Sequence, residues 1–118
     1  MELVREIAIF TEENTEQIAK EAKLAADKAQ SDYLAEHGDS AYCGFAWVDV
    51  KVTRTNSKEA KALEKMGFKK SWERGYMQNW KPGAYGGQSM DVHEAGAQAY
   101  ADVLRQYGFK ASMGSRAD

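Results

Sequence analysis

At 118 residues the chain is one domain's worth, and a formal net charge of −2 with 43% hydrophobic residues is ordinary for a globular protein. A single cysteine, Cys43, excludes an internal disulfide and a zinc site built from cysteines, and points to a reducing compartment. No apolar run is long enough to cross a bilayer and the start lacks a signal peptide's basic flank, so the expectation is a cytoplasmic protein away from membranes.

The charge is uneven. Residues 1–40 hold ten acids and four bases, a net of −6, while residues 41–118 hold twelve bases and eight acids, a net of +4. The chain therefore reads as one domain, 1–118, with an acidic N-terminal helical extension (1–40) on an α+β core (41–118). An acidic front on a basic body steers an anionic ligand to the body; the plainer alternative is a solvated acidic helix.

Residues 3–10 suit a short strand, though they equally fit the start of a helix. Asn14 and Gln17 form a capping-box pair. From there Ile18, Ala22, Ala25, Ala29 and Tyr33 recur on one face of a long helix that ends by Gly38. Residues 42–54 are the most strand-like run. Cys43, Phe45 and Trp47 point one way and Ala46, Val48, Val50 and Val52 the other, so its first half is apolar on both faces, as in a central strand.

Asn56 and Glu59 open a second helix with Ala60, Leu63 and Met66 inward, ended by Gly67. A turn at Arg74-Gly75 folds residues 68–80 into a hairpin. Lys81-Pro82-Gly83 stops its second arm, and residues 83–87 form a glycine-rich loop. Ser89 caps a third helix, with Asp91 and Glu94 near its positive end and Val92, Ala95, Ala99, Val103 and Tyr107 inward. Gly108 ends it, and residues 109–114 are the last strand.

One stretch occurs twice. Residues 63–71 read L-E-K-M-G-F-K-K-S and residues 104–112 read L-R-Q-Y-G-F-K-A-S, with Leu, Gly, Phe, Lys and Ser in register. Each copy spells the last turn of a helix, a Gly in the left-handed region and the first residues of a strand. Two such joints at equivalent places predict a ferredoxin-like βαββαβ sandwich over about residues 42–115, in strand order 4-1-3-2, behind a long N-terminal helix and a possible short first strand.

That topology gathers Cys43, Trp80, Gly87, Gln88, Ser89, Ser115 and Arg116 at one edge. A glycine loop entering a helix N-terminus offers backbone N–H groups and a positive dipole, Arg116 a bidentate anion contact and Trp80 a flat stacking face. The expected ligand is a nucleotide or nucleic-acid phosphate. The plain alternative is a flexible loop, a cap and an Arg116–Asp118 pair, since neither the P-loop nor the dinucleotide fingerprint is present.

The segments C-G-F-A-W-V (43–48), Q-S-M (88–90) and S-R-x-D (115–118) resemble small, functionally uncharacterised proteins of tailed phages and prophages. The resemblance covers about residues 42–118 and implies an accessory protein in the host cytoplasm, with no established activity attached. L-E-K-M-G-F-K is similar to a late segment of one acetyltransferase class, but the pyrophosphate-cradling loop of those enzymes is missing.

Asp91, His93 and Glu94 do not converge on a helix, where His93 stands about 200° from Asp91 and about 100° from Glu94, so no metal site is expected. Cys43 reads as a small buried thiol, or else as the nucleophile of a small thiol-dependent enzyme. Phe68, Lys70, Trp72, Arg74, Tyr76, Gln78 and Trp80 would alternate along an extended chain in the manner of sheets that stack single-stranded RNA, unless a turn at Gly75 shifts the register; the alternative is core aromatics. The sequence thus points to a non-enzymatic binding module without a cofactor. The rival reading is a protein–protein module, a homodimer or a partner of a host protein, docking through the alanine-faced helix or an open sheet edge.

Overall fold

The computed structural model describes residues 10–39, 42–53 and 57–117. The expectations for residues 3–9 and for Asp118 as a partner of Arg116 lie outside the described residues, as does Asn56 itself; the second helix is capped instead by Ser57, whose hydroxyl accepts Ala60 N–H at 3.2 Å. The elements run α1 (Thr15–His37), β1 (Gly44–Lys51), α2 (Lys58–Lys65), β2 (Lys69–Lys70), β3 (Tyr76–Asn79), α3 (Met90–Gln106) and β4 (Lys110–Ala117). The fold is α+β: one four-stranded antiparallel sheet in the order β2-β3-β1-β4, with helices on one side. That is the 4-1-3-2 order required by the repeated joints.

The joints themselves match bond for bond. Gly67 N–H reaches the Glu64 carbonyl at 3.1 Å and Phe68 N–H the Leu63 carbonyl at 2.9 Å. In the second copy Gly108 N–H reaches Arg105 at 3.0 Å and Phe109 N–H reaches Leu104 at 3.1 Å. These are Schellman caps, with both glycines at positive φ (104° and 94°) and each Leu–Phe pair buried as its hydrophobic clasp.

Ala46, Val48 and Val50 of β1 meet Ala97, Ala101 and Leu104 of α3 in the core, and Ile18, Ala22 and Ala26 of α1 join the same cluster. Small residues let α1 lie close on α3, so its alanine face is covered within the chain and is not free for a partner. The buried line of α1 is Ile18, Ala22, Ala26 and Gln30, and Ala25, Ala29 and Tyr33 fall to its margin. The expected face drifts because buried Gln30, set against Gly83 and Gly96, carries no apolar signal.

The capping box also moves back one turn. Asn14 accepts Thr11 N–H at 2.8 Å and ends a short 3₁₀ turn (Glu12–Asn14) that leads into α1. In α3 the buried set is Val92, Gly96, Ala97, Tyr100, Ala101, Val103 and Leu104, so Ala95 and Ala99 are marginal. The last strand runs to Ala117, three residues beyond the expected 114. The hairpin turns at Gly75 as expected: Tyr76 N–H bonds the Glu73 carbonyl and Ser71 N–H the Tyr76 carbonyl.

One expectation is corrected in a way that matters for function. Strand β1 is central, but among the described residues helices pack on one of its faces alone. Phe45, read as half of a doubly buried strand, is 42% exposed.

Candidate functional site: the α3 edge and the open face of the sheet

At the α3 edge the chain before β1 pairs with the chain before α3. Cys43 bridges Ser89, Gly44 N–H bonds the Gln88 carbonyl at 3.1 Å, and Met90 N–H bonds the Tyr42 carbonyl at 2.9 Å. The Cys43 thiol donates to Gln88 Oε1 at 3.5 Å. Cys43, Gln88 and Ser89 are thus brought together, as the topology predicts.

Their polar groups are bonded within the chain. Ser89, only 1% exposed, caps α3 by accepting Val92 N–H at 3.4 Å, and its own N–H donates to the Tyr85 hydroxyl at 3.1 Å. Of the four N–H groups at residues 89–92 that a phosphate would use, those of Ser89, Met90 and Val92 have internal acceptors. The Gly87 carbonyl accepts from His93 Nε2 at 2.8 Å, and the Tyr85 ring lies against Gly87, where a Cβ would strike it. Tyr85 in turn donates to Asp39; burial first, and then that carboxylate, raise its pKa. Among the described residues no buried side-chain nitrogen or oxygen lacks a partner.

Trp80 and Arg116 are parted from this cluster by the sheet. Ser115 stands opposite Ala46 and donates to Glu94 of α3 at 2.6 Å, so it faces the helices. Arg116, next along β4, stands opposite Phe45 and projects from the other side. Trp80 stacks on Trp47 of that same side, with ring centroids 4.3 Å apart and planes at 23°.

The register lays this open face out in four rows about 7 Å apart, two residues of strand each. The first holds Phe45 and Arg116; the second Trp80, Trp47 and Gly114; the third Lys69, Gln78, Asp49 and Ser112; the fourth Tyr76, Lys51 and Lys110. Gly114 lets the Trp47 indole lie flat, since a Cβ there would sit 2.6 Å from the ring. Phe68 and Lys70 fall on the helix side because the Gly75 turn shifts the register, and Phe68 packs on Tyr100 instead.

A hydrogen-bonded chain fixes the centre of the face. Trp47 Nε1 donates to Asp49 Oδ2 at 3.0 Å, Gln78 Nε2 to Asp49 Oδ1 at 2.8 Å, and Trp80 Nε1 to Gln78 Oε1 at 3.2 Å. From beneath, buried Asn79 accepts Lys81 N–H at 3.0 Å and lies beside the Tyr100 hydroxyl, so the turn that carries Trp80 is tied to a buried residue. Around this centre stand Lys51, Lys69, Lys110 and Arg116, and among the described residues in these rows the one carboxylate is that of Asp49. Among the described residues none of these four cations lies within ion-pair distance of an acid. Lys51 and Lys110 stand directly opposite each other, an arrangement that like charges disfavour.

Sequence reasoning missed Trp47, Asp49, Lys51, Lys110 and Gly114 as members of this surface. The alternation on β1 and the repeated Gly-Phe-Lys were visible; which side the helices would cover was not. No family model, curated protein or solved structure matches this chain. Among the described residues no group of histidine, cysteine, aspartate and glutamate is arranged to hold a metal ion, and no helix is long and apolar enough to cross a membrane.

Proposed function

We propose that this chain is a non-enzymatic binding module of tailed-phage accessory type, acting in the host cytoplasm, whose core is a ferredoxin-like sandwich and whose ligand is an anion bearing phosphate, a nucleotide or nucleic acid. The strand order and the two equivalent helix–Gly–strand joints support the ferredoxin-like reading. The open face supports the ligand class: among the described residues, four cations without an acid at ion-pair distance surround stacked indoles and an internally bonded carboxylate. This reading keeps Trp80 and Arg116 from the expected edge and moves the centre of the site from the α3 N-terminus to the sheet.

The single observation that carries it is the Lys51–Lys110 pair, two cations held side by side where a bound phosphate relieves their repulsion. Thermal melting tests it. Inorganic polyphosphate or nucleotides raise the melting temperature at low salt, and Arg116→Ala with Lys110→Ala reduces that rise. No shift across such a panel overturns the reading. A second reading, a protein–protein module, is favoured by Trp72, 93% exposed on the β2–β3 hairpin; a dimeric mass by light scattering supports it.

A further inference from the structure

We infer that the open face takes single-stranded nucleic acid and holds it by base stacking and phosphate contacts without reading base identity. This rests on the ligand class proposed above and narrows it. Reading a base requires free donors and acceptors aimed at its edge. Here the polar groups at the centre of the face are turned on one another: both indole N–H groups, the Gln78 amide and both Asp49 oxygens take part in the chain from Trp80 to Trp47. What the centre offers outward is π surface, held in place before any ligand arrives.

Trp80 is 49% exposed over Trp47, and Phe45 presents a second ring one row away. Every base has a π face, so stacking on such rings tolerates any sequence. A duplex keeps its bases stacked inside and cannot offer them to a flat sheet, which selects for single strands. The cations sit at the rim, Arg116 beside the aromatic rows and Lys51 with Lys110 at the far end. A backbone passing over β1 and β4 thus meets positive charge on either side of its stacked bases. Both oxygens of Asp49, the acid on this face among the described residues, already accept from Trp47 and Gln78, so neither is free to select a base.

Fluorescence anisotropy with labelled oligodeoxythymidine, oligouridine, oligodeoxyadenosine and a mixed duplex, together with competition by inorganic polyphosphate, tests the inference on the full chain. The single strands are expected to bind within about tenfold of one another, and the duplex more weakly. Trp80→Ala is expected to weaken them roughly tenfold to a hundredfold, the loss that removal of one base–aromatic stack produces. Trp80→Phe, which keeps a ring and guards against a folding defect, recovers most of the loss. Equal competition by polyphosphate with no effect of Trp80→Ala overturns stacking while leaving the anion site standing. Binding of neither oligonucleotide nor polyphosphate overturns both. A strong preference for one base that Gln78→Ala abolishes overturns the claim of indifference to sequence. A dimer that Trp80→Ala dissociates, without nucleic-acid binding, assigns the face to a second copy of the chain and overturns the inference.

Discussion

The α3 edge and the open face of the sheet hold similar kinds of residues, yet they differ in what is left over. At the edge, Ser89, Tyr85, His93, Gln88 and Glu94 form a dense polar cluster in which donors meet acceptors inside the chain. On the open face the centre is equally well bonded, but among the described residues the rim carries cations at ion-pair distance from no carboxylate, and rings over which no helix is laid. A dense polar cluster can be pure architecture. Recognition is better sought where charge and π surface remain unmatched after folding.

The largest effect expected lies beneath the face and tests whether its support is a buried anchor. Burial pushes the Tyr100 hydroxyl up to about 12, with the hydrogen bond from Asn79 opposing the shift. The neutral phenol is therefore the form the fold keeps. The unfolded chain loses this proton near pH 10, its usual value, while the folded chain holds it to about 12. Stability is full below pH 10 and falls by about 1.4 kcal/mol per pH unit between the two values, roughly 3 kcal/mol in all. Denaturant unfolding across that range should show the fall, and Tyr100→Phe should flatten it. A variant as alkali-sensitive as the parent would mean that Tyr100 anchors nothing.

An intermediate effect separates edge from face. Ser89→Ala removes a helix cap and should cost about 1 kcal/mol in chemical unfolding, while affinity for single strands stays unchanged. A loss of binding larger than the loss of stability would return the site to the α3 N-terminus.

The smallest effect is the sharpest, because stability and binding should move in opposite directions. Lys51→Met relieves the repulsion with Lys110 and should stabilise the protein by a few tenths of a kcal/mol. The same change removes a phosphate contact and should lower the slope of log affinity against log salt by about 1. Destabilisation by this variant would show that the two lysines are not a strained pair.

How much of this was legible in the sequence follows from how local each signal is. The Schellman joints were legible, because a Gly between Leu-x-x-x and Phe-Lys specifies its own cap chemistry. The strand order followed from having two of them. The proximity of Cys43 to Ser89 followed from the order. The internal bonding of the Ser89 and Met90 N–H groups was hidden, since their acceptors, the Tyr85 hydroxyl and the Tyr42 carbonyl, arrive only on folding. The exposure of Phe45 was hidden for the opposite reason: alternation marks two faces of a strand but cannot count the layers of helix laid over them. On α1 the apolar face is almost all alanine, so Gln30 could take a core position unannounced.

The Gly-Phe-Lys step at each joint ties the fold and its chemistry to one register. In a strand, neighbouring side chains point to opposite faces, so the step that lowers Phe68 and Phe109 into the core raises Lys69 and Lys110 onto the open face. One residue inserted after either glycine would exchange the two, exposing a ring and burying an ammonium group. The same three positions thus answer to two demands at once, packing beneath the sheet and charge above it. Positive charge at these two corners is placed by the helix caps themselves.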